Sequence, residues 1–574
     1  MKRFEEVINI VGPFGRNQKL QFVLLCIVAG CAAFYQMGNT IYSASADHYC
    51  KVYDNQTYVD QSPLKNCTIP YSLEGGAVSW DKCRRYDVNV SQGISDEVCS
   101  SQKNETLSCD RGWVYDKTWY ENTVVYEYNL VCSNDWMKQL SKSFVPLGNL
   151  VGAFTFGQLS DYFGRRPIFI ITMMMAMTTA IATSFAPNYP MFVIGQFFLG
   201  AFPHSLFVTA FVIIMEIIGL EYRTMCGTVI HIVFSLTYML FGGIAFLSHG
   251  NWRQIQLIVG VIYVLYIPTF FVICETPMWL MRKHRYDDAK KVLKKFAKVN
   301  KTTLPDDIFE QDKEAFLKSK EKVIQVKPRR YTVLDLFKSP RLRRNTLLMC
   351  FNWFSCSFLY YGISLNTDQL GSNPYMTFTL AGFVEIPGCF IAWWLMKNIG
   401  RRWSFSGFAV VGGIALMLSI PPKKSIVELS IFFAMISKLC IGAVFTIAFV
   451  YAAEIYPTVV RNGGMGFSSL SARLGSITSP FIVLLDVIWG PLPLVVMGMT
   501  SVVAGLFALL LPETRNVSLP ETLEDGETLG TKYYKKRETD TEERNDITPA
   551  RRPSFEYKML AQADHPSDAA VPMM

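Results

Sequence analysis

The chain has 574 residues, of which 50% are apolar and only 18% are charged, and its formal net charge is +8. This composition is too apolar for an ordinary soluble protein of two or three domains. The surplus of positive charge lies beside the apolar segments, where it indicates membrane topology rather than a nucleic-acid partner.

Apolar segments of a length suited to membrane crossing recur along most of the chain. A bilayer core about 30 Å thick requires about 20 apolar residues per helix. Residues 1–19 are mixed in charge and contain Gly and Pro, so they lack the layout of a cleavable signal peptide, and we predict a retained first span. We predict an all-α membrane protein with twelve spans at residues 20–42, 140–158, 167–186, 190–217, 225–247, 254–274, 346–366, 375–396, 403–421, 427–453, 465–485 and 491–511.

The distribution of Lys and Arg predicts which side of the membrane each connection faces. Positive residues concentrate in alternate connections, for example at Arg165, Arg223 and Arg461, and such connections lie in the cytoplasm. An even number of spans then places both termini in the cytoplasm and segment 43–137 outside the cell. The sequence therefore predicts a multi-pass protein of the plasma membrane.

The predicted outer segment has the features of a secreted domain. It contains four N-glycosylation sequons and six of the fourteen cysteines. Six cysteines in an oxidising compartment predict three disulfides, and the sequence leaves fifteen pairings open. The cysteines are Cys50, Cys67, Cys83, Cys99, Cys109 and Cys132, and the sequon asparagines are Asn55, Asn66, Asn89 and Asn104.

An internal repeat divides the spans into two groups of six. Three motif pairs recur 236 to 238 residues apart, at the same place in each group. This agreement indicates two parallel copies of one six-helix bundle. The pairs are Glu216 to Arg223 with Glu454 to Arg461, Gly164-Arg165-Arg166 with Gly400-Arg401-Arg402, and Glu275-Thr276 with Glu513-Thr514. We predict a first bundle at 20–274, a cytoplasmic central segment at 275–345, a second bundle at 346–511 and a largely disordered cytoplasmic tail at 512–574.

The repeated charges at helix ends suggest a cytoplasmic gate. We expect acids and arginines there to pair when the inner side is closed and to separate when it opens. Topological anchoring alone explains the arginines but not the acids at fixed spacing. The predicted gate residues are Asp161, Arg165, Glu216, Arg223, Glu454 and Arg461.

Several motifs resemble the organic cation, carnitine and organic anion transporter family of the major facilitator superfamily. They are GQLSDYFGRRP at 157–167, CETPMWL at 274–280, AEIYPTVVRNGG at 453–464, SARLGSITSPF at 471–481 and LPETRNVSLPETLEDGE at 511–527. The resemblance covers about residues 1–530. Within the family, the motifs most resemble those of the invertebrate organic cation transporter-like proteins. It implies two bundles with a substrate cavity between them that opens alternately to each side. The family's usual Pro-Glu-Ser-Pro-Arg-Trp-Leu is altered at 274–280, so contacts from its first Pro and its Arg are lost.

Ionisable side chains inside spans are costly and mark candidate functional sites. Glu385 and Lys438 form either part of a binding site or a structural pair, and the sequence leaves both open. Arg473 lies in a stretch that resembles anion and zwitterion carriers of the family, and a guanidinium binds carboxylates through paired hydrogen bonds. Ring faces attract ammonium groups within about 6 Å, although most aromatic residues serve in packing. The aromatic and histidine candidates are Tyr35, His231, Phe234, Trp353, Tyr360 and Tyr361.

These features predict a carrier of small organic cations or zwitterions, such as carnitine-like solutes or amine-bearing amino acid derivatives. The alternatives are an organic anion transporter or exchanger and, from another class, a receptor that uses the outer loop. The sequence has no recognisable enzyme, cofactor or metal-binding motif. The expected partners are a small organic solute, the bilayer and, if transport is coupled, sodium or a proton.

Overall fold

The structure, a computed structural model, describes residues 2–54, 56–60, 62–74, 77–87, 105–305, 308–310, 332–365, 373–420, 427–515, 517 and 520–531. The predictions for Asn55, Asn89, Asn104, Cys99 and the tail beyond residue 531 lie outside these residues.

Helices lie at all twelve predicted positions and are numbered here as spans from the N-terminus. Eight of them are long and apolar enough to cross a membrane, judged by length and composition. The second and seventh spans begin with charged turns, and the ninth and twelfth have only 18 and 17 residues. The spans are Arg16–Gly30 with Ala32–Tyr42, Asp135–Phe163, Arg165–Ser184, Tyr189–Ile217, Leu220–Leu247, Trp252–Ile262 with Tyr263–Tyr266 and Thr269–Val272, Pro340–Ser364, Pro374–Asn398, Arg401–Leu418, Val427–Ile455, Arg461–Thr478 with Ser479–Val487, and Leu492–Ala508.

The remaining elements lie in the connections and at the ends of the chain. Short helices are Lys2–Val11, Pro63–Thr68, Val124–Tyr128, Cys132–Asn134, Pro277–Arg282, Tyr286–Asn300, Val333–Phe337 and Leu523–Thr528. Three antiparallel strand pairs occupy the segment after the first span: His48–Cys50 with Trp113–Tyr115, Tyr71–Glu74 with Ala77–Trp80, and Arg84–Tyr86 with Thr106–Ser108.

The same glycine turn ends the second span in the first bundle and the eighth span in the second. Gly164 has φ +112° and Gly400 has φ +113°, a region that side chains with a Cβ rarely adopt. A Cβ at Gly164 would also lie 2.4 Å from Glu275 Oε2, and one at Gly400 would lie 2.7 Å from Glu513 Oε2. The repeated motif therefore encodes a tight turn that presents backbone N–H groups to a carboxylate.

The two bundles contact each other near the end that carries the strands, called here the loop face. The opposite end, which bears Gly164, Gly400 and helix Tyr286–Asn300, is called the terminal face. Thr40 Oγ1 of the first span donates to Ser364 O of the seventh at 2.9 Å. Lys142 Nζ donates to Leu365 O at 2.8 Å, and Ser143 Oγ donates to Ile477 O at 2.8 Å. Hydrogen bonds thus join the bundles across the loop face.

Disulfides hold the strand-bearing segment together. Cys50 pairs with Cys109, and Cys83 pairs with Cys132. Cys67 is also disulfide-bonded. Asn66 is exposed on helix Pro63–Thr68, where it is accessible for modification. The eight cysteines of the spans and the adjoining connection are free thiols, mostly buried.

The end of this segment is fastened to the first bundle through Glu127. Its carboxylate accepts hydrogen bonds from Trp252 Nε1 at 2.8 Å, from Asn122 Nδ2 at 3.0 Å and from Arg253 Nε at 3.1 Å. Partial burial alone would raise the pKa of Glu127, but these hydrogen bonds and the charge of Arg253 lower it below its ordinary value of 4.5. The ionised carboxylate therefore stabilises the docked segment.

A depressed carboxyl pKa contributes stability above the unfolded pKa, and that stability is lost as the pH falls through the folded pKa. We expect Glu127→Gln to lower the midpoint of thermal unfolding at pH 7, with the difference from wild type shrinking as the pH drops below about 4.5. Glu121→Gln, an exposed change in the same segment, is the control. A difference that stays constant from pH 7 to pH 4 would contradict this assignment.

Candidate functional site

A buried ion pair lies between the eighth and tenth spans. Lys438 Nζ is 2.8 Å from Glu385 Oε1, and the two side chains are 0% and 8% exposed. Glu385 Oε2 also accepts a 3.1 Å hydrogen bond from Ser235 Oγ of the fifth span, which belongs to the other bundle. The pair therefore sits where the bundles meet, with each charge compensated, as a buried ion requires.

The ammonium of Lys438 has further contacts of different kinds. It donates to Ser364 Oγ and lies 3.6 Å from the centroid of the Tyr360 ring. The Tyr238 ring of the fifth span is 5.7 Å away. A carboxylate, a hydroxyl and ring faces within about 6 Å are the groups that attract an ammonium ion. Ser235, Ser364 and Tyr238 could not be predicted as site residues, because serine and tyrosine are common in membrane helices.

Arg473 is connected to the ion pair through Tyr361 and Tyr360. It is 4% exposed, and its Nη2 is 3.1 Å from His204 Nε2 of the fourth span. It also interacts with the hydroxyl of Tyr361, which donates to Gln36 Oε1 of the first span at 2.8 Å. The rings of Tyr360 and Tyr361 are 5.4 Å apart. The two tyrosines thus connect Arg473 to the Glu385–Lys438 pair.

A row of aromatic rings extends from this region through the second bundle. Tyr360 packs on Phe445 at 5.6 Å, and Phe445 packs on Phe449 at 6.0 Å. Phe449 contacts Trp353 at 4.4 Å. Trp353 is 1% exposed, and its indole N–H has no hydrogen-bond partner among the described residues. The row links two predicted aromatics, Tyr360 and Trp353, through continuous ring contacts.

The three candidate residues of the first bundle, His231, Phe234 and Tyr35, differ in their distance from the ion pair. His231 and Phe234 are half-buried on the fifth span, and His231 is close enough to Glu385 to interact with it electrostatically. Tyr35 is 2% exposed and stacks on Tyr263 of the sixth span at 6.1 Å. Tyr35 therefore packs against its own bundle, as does Phe234, whose ring contacts Phe207 at 6.3 Å, whereas His231 lies near the ion pair.

A charge network occupies the terminal face of the first bundle. Arg165 Nη2 is 3.0 Å from Glu216 Oε1, and Arg165 Nη1 is 2.6 Å from Asp161 Oδ1. Glu216 also accepts from Thr276 Oγ1 at 2.6 Å. Glu275 accepts the backbone N–H of Arg165 at 3.0 Å. Three of the predicted gate residues thus meet within one bundle.

The second bundle repeats this network with Arg401, which was not in the predicted set. Arg401 Nη2 donates to Glu454 Oε1 at 2.8 Å, and Glu454 accepts from Thr514 Oγ1 at 2.5 Å. Glu513 accepts the backbone N–H of Arg401 at 2.9 Å. The motif repeat was the signal for this residue, because Arg401 follows Arg165 at the repeat offset.

The remaining predicted gate arginines contact helix ends. Arg223 Nε donates to Ile218 O at 3.3 Å, and Arg461 Nε donates to Tyr456 O at 3.2 Å. Arg461 Nη2 also donates to Thr458 Oγ1 at 3.0 Å. Both arginines cap the carbonyl end of the preceding span, where a positive charge is stabilising. The described residues contain no group of three or more His, Cys, Asp or Glu that could hold a metal ion.

Comparison with known proteins decides the family. Residues 89–525 match the family described as sugar (and other) transporter. The chain is 37% identical to the organic cation transporter protein of Drosophila melanogaster, over 92% of this chain and 95% of that protein. The chain belongs to the organic cation transporter family of the major facilitator superfamily. The predicted family is thereby confirmed.

Other members of the organic cation transporter family are also similar along their length. The human organic cation/carnitine transporter 2 is 32% identical over 94% of this chain and 96% of that protein. The beta-alanine transporter of Drosophila melanogaster is 32% identical, with 91% and 89% covered. The inward-open xylose transporter XylE from E. coli has a TM-score of 0.54 at 14% identity, covering 86% of this chain and 97% of that chain, which confirms the major facilitator fold. The protein is therefore a membrane transporter and not an enzyme.

Proposed function

We propose that the protein carries small organic cations or zwitterions across the plasma membrane by alternating access, with both termini in the cytoplasm. The proposal rests on one observation above all: Glu385, Lys438 and Arg473 lie with aromatic rings where the two bundles join. The names of relatives, which refer to organic cations, carnitine and beta-alanine, agree with it.

The chemistry of these groups suits a solute that has an ammonium at one end and a carboxylate at the other. Glu385 and the ring of Tyr360 attract the ammonium, and the guanidinium of Arg473 attracts the carboxylate. Such a solute brings no net charge into a buried site, where an uncompensated charge is costly. Carnitine-like compounds and amine-bearing amino acid derivatives have this character.

The contacts between bundles support a proposal for how access alternates. Thr40, Lys142 and Ser143 join the bundles at the loop face, which supports closure of that face in this conformation. Opening toward the loop face requires these hydrogen bonds to break and the terminal ends of the spans to approach each other. The gate residues named above, of which Asp161, Arg165 and Glu216 here pair within one bundle, then gain contacts across the closed terminal face.

Uptake into cells that express the chain tests this function. Labelled L-carnitine, tetramethylammonium and benzoate are compared with and without sodium and at two pH values. We expect saturable uptake of L-carnitine, and we expect Arg473→Ala to lower it at least about tenfold, equivalent to about 1.4 kcal/mol. Arg341→Ala, an exposed change at the start of the seventh span, is the control.

The other outcomes separate the alternatives. L-carnitine uptake that Arg473→Ala leaves unchanged would remove Arg473 from the site. Preference for benzoate would favour the organic anion transporter. Binding of a solute without uptake would favour the receptor.

A further inference from the structure

We propose that the ammonium of Lys438 occupies the solute's own ammonium site, and that a solute binds by exchanging partners with it. This rests on the proposed function. The ammonium of the solute takes the place of Lys438 at Glu385, and the carboxylate of the solute lies between the released ammonium of Lys438 and the guanidinium of Arg473. The protein then selects zwitterions over cations of the same shape.

Two contacts of Lys438, with a carboxylate and with a ring face, are those that a bound solute ammonium would have, whether primary or quaternary. Its Nζ pairs with Glu385 Oε1 at 2.8 Å, donates to Ser364 Oγ and lies over the Tyr360 ring at 3.6 Å. The side chain is 0% exposed, so these contacts replace the whole hydration shell of the ammonium. The chain thus fills a complete ammonium site with a tethered group.

Exchange is feasible because Glu385 keeps a second partner when the lysine leaves. Glu385 Oε2 is hydrogen-bonded to Ser235 of the other bundle, which keeps the carboxylate in place when Lys438 leaves Oε1. Lys438 has a flexible stem of four carbons, so its ammonium can move while remaining near the site. Glu385 therefore remains available to a second cation.

Charge balance determines which solutes can make this exchange. A simple cation that takes Glu385 leaves the ammonium of Lys438 buried without a carboxylate, which is strongly destabilising. An anion that takes Lys438 leaves Glu385 uncompensated for the same reason. A zwitterion replaces both partners, so the number of paired charges is conserved.

Three solutes of nearly the same shape distinguish these cases. Glycine betaine carries a trimethylammonium and a carboxylate. Choline has the same ammonium head without the carboxylate, and 3,3-dimethylbutanoate has the carboxylate with a neutral tert-butyl head. Differences in their uptake therefore report charge rather than size.

The test is the ratio of choline uptake to glycine betaine uptake in cells that express the full chain. We expect wild type to favour glycine betaine, and Lys438→Met to raise the ratio at least about tenfold because Glu385 then binds a cation directly. Lys438→Arg keeps the charge and should retain the wild-type order. Lys138→Met removes another buried lysine, whose Nζ donates to Ser45 Oγ, and should leave the ratio unchanged.

A purely structural ion pair predicts a different result. In that case Lys438→Met lowers the uptake of all three solutes in proportion, and this outcome, or an unchanged ratio, overturns the proposal. If Lys438→Met does not reach the membrane, the double variant Glu385→Gln, Lys438→Met removes both charges together. We expect that variant to lose the preference for glycine betaine, and retention of the wild-type ratio would overturn the proposal. Wild type that takes up none of the three solutes contradicts the proposed function itself.

Discussion

Replacement of Arg165 by alanine is expected to lower the free energy of unfolding by about 3–5 kcal/mol. The change leaves the carboxylate of Glu216, which is 9% exposed, without its guanidinium partner and also removes the partner of Asp161. An uncompensated buried charge is among the most destabilising changes in a folded protein. The measurement is thermal unfolding of the purified protein in detergent, together with its abundance in membranes.

Arg166→Ala is the matched control for this prediction. Arg166 is the adjacent residue of the same turn, but its side chain is exposed and donates to the carbonyl of Phe270. We expect a much smaller loss for Arg166→Ala. Equal losses for the two variants would show that the network around Arg165 does not stabilise the first bundle.

Replacement of Glu385 by glutamine is expected to lower the rate of solute uptake about 100-fold, equivalent to about 2.8 kcal/mol. The amide keeps the shape of the side chain but removes the anion that compensates Lys438 and, in the proposed function, attracts the solute. The initial rate of glycine betaine uptake is measured and divided by the amount of protein at the cell surface. This normalisation separates loss of transport from loss of folded protein.

Glu428→Gln provides the corresponding control for the acid. Glu428 is exposed at the start of the tenth span, the same span that carries Lys438. Its replacement should leave uptake close to the wild-type rate. A rate for Glu385→Gln within about threefold of wild type would mean that the buried acid has no part in solute binding.

Hydropathy predicted where the spans lie because each apolar centre must be buried in lipid or protein. It predicted their ends less well. The second span was expected at 140–158 but forms Asp135–Phe163, because its ends are polar turns that continue the helix. Nor did hydropathy predict the interruption at Cys31, which divides the first span into two helices.

The candidate site was predictable as a set of residues but not as an arrangement. Glu385 and Lys438 stood out because ionisable groups are rare within spans. Their pairing could not be chosen from the sequence, because the direction in which each helix presents its side chains depends on packing between spans. For the same reason the sequence did not predict that Tyr35 packs against Tyr263.

The internal repeat carried more information than the predicted gate used. Arg401 and Glu513 occupy the positions of Arg165 and Glu275 in the second bundle, and the motif offsets already related them. Spacing alone did not show that Arg223 and Arg461 cap helix ends while Arg165 and Arg401 bind the acids. Whether a guanidinium contacts a helix-end carbonyl or an acid depends on which neighbouring helix it faces, and the spacing of residues in the sequence does not determine this.

Counterflow of labelled glycine betaine tests most directly whether one site between the bundles opens alternately to each side. Proteoliposomes that contain the full chain are preloaded with unlabelled glycine betaine and diluted into labelled solute. We expect a transient accumulation of label above its equilibrium level, because each inward movement of label is matched by outward movement of unlabelled solute. A steady approach to equilibrium without that overshoot would contradict it.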